Sequence, residues 1–384
     1  MGMLNENINF VFKSEDYSKN GNSTFFNGPF YNYVISKNYS RTNNFLLKKD
    51  LKNFLIVEPI FNSSHFLDSI DSDIIEFIRY NDVKLIVSLV IDPIIQREVD
   101  YMNEKLKNLK IYEKTIIITS TINVKSKNVY NFDFFLDEAT QSYHNYFNNL
   151  TELGYVSKKI NETELNNFRN KKFLSMNRNI NKYHRYKLLL TYYNGNYQNS
   201  YFSFLDKLSP QLAKTFSTVN LSEINEINKI LPIELDTQLI ENKMGFRVDN
   251  TYKKELFLDS CVNIVTETSF IDNELFVSEK ILKPILMYQP FVVLGPCKLL
   301  SHIKSYGFKT FSDFWDESYD DMHDYNERLK MVITLINELN EKSIKELNEL
   351  YQKTKDICIY NRRLFESLKL DSISEIFKKI ENEW

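Results

Sequence analysis

The chain has 384 residues, is 43% hydrophobic and 14% aromatic, and carries 48 Lys+Arg against 51 Asp+Glu for a net charge of −3 at pH 7. This length and apolar content exclude a disordered chain and suffice for two or three ordinary domains, while the near balance of charge excludes a global field that draws a protein to nucleic acid or membrane. Cys261, Cys297 and Cys358 are too few and too scattered for a zinc knuckle or disulfide framework, and with no apolar run of spanning length and no signal-like start, a cytoplasmic protein is expected.

Residues 1 to about 50 are polar and broken by turn signals such as Asn27-Gly28-Pro29, which predicts short strands or a loop. Three clearer strands follow. Phe54-Leu55-Ile56-Val57 ends at Glu58-Pro59, Val83 to Ile91 ends at Asp92-Pro93, and Thr115 to Thr119 ends at Ser120-Thr121. Helix-compatible apolar spacing fills Ile70 to Tyr80 and Ile94 to Leu109 between them. Asp71-Ser72-Asp73 precedes an apolar helix and reads as its N-terminus, not as a metal-binding Asp-x-Asp pair, so no metal is expected. Strand alternating with helix predicts a parallel, doubly wound sheet. Residues 138 to 170 read as polar helix and carry the interdomain connection.

The strand-like Phe173-Leu174-Ser175-Met176 then empties into the turn-rich, basic Asn177-Arg178-Asn179-Ile180-Asn181, ahead of a helix from Lys182 to Leu190. Lys182 and Lys187 read as a solvated helix face and His184 as a packed or capping histidine. Val262, Ile264 and Val265 form a buried strand that delivers Glu267, and Ser278 is the expected N-cap of a helix with Glu279 and Lys280 in its first turn. Pro290 is expected to stop that helix, with Phe291 to Leu294 as the next strand. The aromatic run from Gly307 to Asp320 reads as a packed connection, Asp320 to Asn340 as a long helix, and the rest as a helical tail. The expected fold class is α/β, with two Rossmann-like doubly wound domains facing a cleft, residues 1–165 and 166–343, and a tail, 344–384, packing back toward the first.

The stretch from Asn263 to Gly295 carries the most chemistry. Unpaired N–H groups and the positive end of the dipole make a helix start a natural seat for phosphate, and Lys280 adds a full charge. A carboxylate beside it, Glu279, can accept hydrogen bonds from vicinal ribose hydroxyls. Arg178 and Arg185 both lie near a strand end, where open α/β sheets bind ligands, and either offers the planar fork that pairs with phosphate oxygens. Glu267 can stabilise positive charge developing on a sugar or bind one of its hydroxyls. Glu58 and Asp92, each just past a strand and before proline, are the candidates for a general base.

Thr266-Glu267-Thr268-Ser269, Ser278-Glu279-Lys280 and Pro290-Phe291-Val292-Val293-Leu294-Gly295 together resemble the α1,3/4-fucosyltransferase-type glycosyltransferases. Those carry Glu-Asn-Ser, a spacer, Thr-Glu-Lys opening a helix, and a Pro-Val-Val-Leu-Gly-like strand. Here Thr268 stands in place of Asn and Ser278 in place of Thr. The resemblance implies the two-domain GT-B fold, a nucleotide-sugar donor held mainly by the C-terminal domain, and metal-independent, inverting transfer to a glycan or other hydroxyl acceptor without a resident cofactor. The family's base lies outside the segment that resembles this chain. Two other readings stay open. One is a GT-B-like nucleotide-binding or scaffold protein without catalysis. The other is transfer to a hydroxylated base of DNA, which the near-neutral charge disfavours but a local basic face would permit.

Overall fold

The computed structural model describes residues 8–11, 40–42, 45–57, 67–68, 70–90, 92–140, 160–216, 219–235, 254–271 and 274–383. Contacts divide the chain into two units, residues 1–138 with 273–276 and 370–384, and residues 139–272 with 277–369.

The first unit is built on β1 (Ile8–Val11), β2 (Ser40–Thr42), β3 (Lys52–Val57), β4 (Lys84–Leu89), β5 (Thr115–Thr119) and β6 (Val129–Asn131), with α1 (Ser72–Tyr80) and α2 (Gln96–Asn108) between strands. The sheet order is β2-β1-β3-β4-β5-β6, and every pairing is parallel. Phe54, Leu55, Ile56 and Val57 are all buried, the pattern of a parallel strand covered on both faces. Ile74, Ile75 and Ile78 turn one face of α1 inward at helical spacing. Asp71 stands at the N-cap of α1, so Asp71-Ser72-Asp73 is a helix start, as its apolar sequel predicts.

The second unit holds β7 (Lys171–Asn177), α3 (Tyr183–Asn194), β8 (Tyr201–Phe204), α4 (Gln211–Thr215), α5 (Leu221–Ile227), α6 (Lys254–Asp259), β9 (Ser260–Thr266), α7 (Glu279–Leu286), β10 (Phe291–Leu294), α8 (Leu299–Ser305), α9 (Tyr325–Glu341) and α10 (Ile344–Ser367). Its sheet is again fully parallel, in the order β10-β9-β7-β8. The chain is therefore mixed α/β with a parallel sheet in each of two units. No helix among the described residues is long and apolar enough to cross a membrane.

Several limits differ from the sequence reading for local reasons. α7 stops at Leu286, ahead of Pro290, because Tyr288 takes a left-handed φ of 52° and the Gln289 N–H closes back on the Pro284 carbonyl at 2.9 Å, a Schellman-like end. α9 starts at Tyr325 and not at Asp320: Asp324 caps it through Asn326 and Glu327 N–H, while the Asp320 carboxylate accepts from Leu300 and Ser301 N–H at 2.7 and 2.8 Å at the start of α8. The aromatic connection is core, with Phe308, Phe311, Trp315 and Tyr319 buried and Phe311 set edge-on to Phe291 at 5.1 Å.

The helical end is shared out between the units, whereas the sequence reading treated 344–384 as one tail. α10 belongs to the second unit, where Asn348 brackets the backbone of Arg169 at 2.8 and 2.9 Å and the buried Arg169 guanidinium lies 3.5 Å from the Tyr351 ring centre. Only α11 (Ser372–Asn382) lies in the first unit, its Phe377 edge-on to Phe10 at 5.7 Å and Phe54 at 5.8 Å.

Candidate functional site

In chain order the second sheet runs second strand, first, third, fourth, so β7 and β9 flank the switch point at which open α/β sheets form a crevice beyond the carboxyl ends of their strands. The two strand ends are tied together by side chains. The Thr266 hydroxyl donates to Asn177 Oδ1, Asn177 Nδ2 donates to Ser175 Oγ at 3.1 Å, and that hydroxyl donates to the Ile264 carbonyl at 2.8 Å. The residues that follow are Arg178, which is exposed, and Glu267, which is fully buried.

Glu267 is an incompletely satisfied carboxyl. Its Oε2 accepts from the Ser278 hydroxyl and, at 3.3 Å, from the Thr268 N–H, while its Oε1 is shielded from solvent and has no hydrogen-bond partner. A buried acceptor left without a partner is costly, and a bound molecule can complete it. Burial pushes the carboxyl above its ordinary range, and Lys280 and the Ser278 hydroxyl pull it partly back. Gly295, closing β10, leaves room here: a Cβ on it would stand 3.5 Å from Glu267 Cγ and 2.6 Å from Leu299 Cδ2.

Ser278 serves two partners at once. Its hydroxyl accepts from the Lys280 N–H at 3.3 Å, capping α7, and donates to Glu267. Lys280 Nζ then reaches Glu279 Oε1 at 2.8 Å, Thr268 Oγ1 at 3.1 Å and Ser278 Oγ at 3.3 Å. Against the upward push of burial, Lys280 and Lys283 hold the Glu279 carboxyl down at about 2, so it stays ionised throughout the ordinary pH range. One helix start thus presents a capped N-terminus, a lysine and a permanently charged carboxylate beside a buried carboxyl with a free oxygen.

The structure separates the two arginines that the sequence leaves as alternatives. Arg178 is exposed and stands one residue past the end of β7. Arg185, only 4% exposed, spends its guanidinium on carbonyls: Nη1 donates to Asn179 at 2.6 Å, and Nη2 to Thr266 at 3.3 Å and Glu267 at 2.9 Å. Lys182 is not simply a solvated lysine, since its Nζ donates to the Thr268 carbonyl at 2.7 Å. His184 is buried, its Nε2 lies 3.1 Å from the Glu267 carbonyl, and its ring stacks on Phe270 at 5.2 Å. Because a carbonyl only accepts, that nitrogen carries the proton. Burial, then Arg185, hold the imidazole well below its ordinary value, so it is neutral.

The sequence reading names Asn177 only as part of the turn-rich segment after Met176 and gives Arg328 and Phe270 no role, and no motif or spacing marks the three; only the topology brings them to this strand end. Of the candidates for a base, Asp92 lies half-buried in the first unit just beyond β4, and Glu58 lies outside the described residues. Among the described residues no three His, Cys, Asp or Glu side chains gather as a metal site.

No protein-family model and no curated protein matches the chain. Among solved structures, an α1,3-fucosyltransferase with GDP aligns over 94% of this chain and 92% of its own, at 10% identity and a TM-score of 0.35. An α,α-trehalose-phosphate synthase (UDP-forming) from Burkholderia vietnamiensis aligns over 83% and 69%, at 10% identity and 0.31. A UDP-GlcNAc 2-epimerase from Neisseria meningitidis bound to UDP-GlcNAc aligns over 92% and 100%, at 9% identity and 0.28. At 10% identity or less, what each of these binds remains a property of that protein.

Proposed function

We propose that the protein is a glycosyltransferase of the GT-B kind that moves a sugar from a nucleotide-sugar donor to a hydroxyl acceptor, with inversion and without a metal. The observation that carries this reading is the buried Glu267, with its unpartnered Oε1, set beside the capped start of α7 and Lys280 at the switch point of a parallel sheet. A diphosphate seats on the helix N-terminus, Lys280 and Arg178, which neutralise the leaving group. Glu279 accepts from the ribose hydroxyls. Glu267 faces the sugar, where an oxocarbenium-like transition state gathers positive charge. Asp92 or Glu58 removes the acceptor proton.

Binding of GDP and UDP by calorimetry tests the donor site. Arg178→Ala and Lys280→Ala are each expected to weaken the nucleoside diphosphate that binds by about 1.5–3 kcal/mol, the range for hydrogen bonds to charged groups. Unchanged affinity in both folded variants overturns the assignment. Nucleotide binding with no transfer or donor hydrolysis would favour a non-catalytic binding protein instead.

Metal independence is tested separately. Because cationic side chains and a helix N-terminus supply the charge that a divalent ion otherwise provides, turnover is expected to survive dialysis against EDTA. Complete loss, restored by Mn²⁺ or Mg²⁺, moves the protein to a metal-assisted mechanism.

A further inference from the structure

The turn after β9 is held in an unusual way. Across Thr266-Glu267-Thr268-Ser269-Phe270, four carbonyl oxygens accept from basic side chains: Thr266 and Glu267 from Arg185, Glu267 also from His184, Thr268 from Lys182, and Phe270 from Arg328. The turn contains no proline to restrict it, and past Thr266, the last residue of β9, the Glu267 N–H donates to the Leu294 carbonyl at 2.8 Å. Arg328 is 1% exposed and also lies over the Phe270 ring at 4.6 Å, so Phe270 contacts both that guanidinium and the His184 ring. Arg185 reaches further, because its third bond goes to Asn179 in the loop after β7. A single guanidinium therefore joins the two strand-end loops that flank the switch point.

We infer that Arg185 is a positioning residue, the centre of a clamp that fixes the Glu267 carboxyl through its own backbone, and that the clamp and not the diphosphate is what Arg185 binds. Each captured carbonyl fixes the plane of its peptide unit, since the amide is rigid and only φ and ψ remain soft. Fixing the planes on both sides of Glu267 fixes its Cα–Cβ direction, and the Ser278 hydroxyl, donating to Oε2, then holds the far end of the side chain, so that Oε1 has a set place. Charged donors suit the task because their bonds to oxygen are about twice as strong as neutral ones. Arginine suits it better than lysine because its rigid fork holds several acceptors at set angles. The Nη atoms that would grip a phosphate are already engaged, at 4% exposure.

This inference rests on the reading of Glu267 and α7 as a donor site, and the experiment keeps the two apart. Arg185→Ala, Arg185→Lys and Lys182→Ala are compared with Arg178→Ala for GDP and UDP affinity, for turnover, and for amide hydrogen exchange over residues 266–271. Arg185→Ala is expected to speed exchange locally, to leave nucleotide affinity within about threefold of wild type, and to lower kcat about 10- to 100-fold, as a misplacement of about 1 Å does. Arg185→Lys is expected to lie between, recovering part of kcat, and Lys182→Ala to repeat the pattern more weakly should the alanine variant at 185 not fold. Loss of nucleotide affinity equal to that of Arg178→Ala makes Arg185 a ligand and overturns the clamp. Unaltered exchange of 266–271 overturns it as well. Should wild type bind neither nucleotide, the donor-site reading fails while exchange still decides the clamp.

Discussion

Exchange of Glu267 for Gln is expected to lower turnover about 10²- to 10³-fold, the loss that follows removal of one preorganised electrostatic group from a water-excluded site. The amide is nearly isosteric and its oxygen can still accept from Ser278, so fold and nucleoside diphosphate affinity should hold. Only the negative charge facing the developing cation is lost. The pH profile identifies the group. In wild type the acid limb of kcat should lie above the ordinary carboxyl value of 4.5, because burial favours the neutral form, and activity should rise with pH as Glu267 ionises. That limb should vanish in the Gln variant. Stability runs the other way. A carboxyl whose folded pKa is raised costs nothing below its unfolded value, costs progressively more as pH rises from that value to the folded one, and carries its full cost above it. Thermal melting at neutral pH should therefore find Glu267→Gln no less stable than wild type. A folded variant that keeps turnover within about threefold would remove Glu267 from the chemistry.

The second large effect belongs to the general base. Asp92→Asn or Glu58→Gln is expected to reduce kcat by about 10²–10⁴-fold, the contribution of a positioned proton acceptor, while donor affinity stays almost unchanged. The contrast with Glu279→Gln is part of the test. Ribose contacts exist already in the ground state, so that variant should raise the donor KM more than it lowers kcat. If neither Asp92 nor Glu58 loses more than about tenfold, the proton leaves by another route.

Most of the scaffold is legible because a parallel strand buried on both faces needs an almost unbroken apolar run, and Leu55 to Val57, Leu85 to Val87 and Ile116 to Ile118 are such runs. The candidate site is legible where chemistry and chain order coincide, as in Ser278-Glu279-Lys280, where the cap, the acid and the lysine are consecutive at a helix start. Elsewhere the information is spatial. Arg178 and Arg185 look alike in sequence, yet one is exposed at a strand end and the other buried on α3 among His184, Tyr186, Leu188 and Leu189. That helix buries polar and apolar residues together, so its inward face carries no clean hydrophobic stripe. The bonds from Arg185 and Arg328 end on backbone carbonyls, which every residue has, and no residue pattern can announce such a partner. The same holds for α7, whose end is set by a left-handed Tyr288 and not by Pro290.

The placement of α11 bears on how the chain is made. Ser372 N–H donates to Asp137 at 2.7 Å across 235 residues of sequence, and Ile373, Ile376, Phe377 and Ile380 complete the core that Phe10 and Phe54 begin. Since domains otherwise fold as they emerge from the ribosome, at about 5–20 residues per second, the first unit is synthesised early and finished last. For roughly 10–50 s at those rates, its nascent sheet exists without the helix that seals Phe10 and Phe54. A ribosome that stalls in the second unit would release a chain with that apolar face uncovered, a substrate for chaperones and proteases.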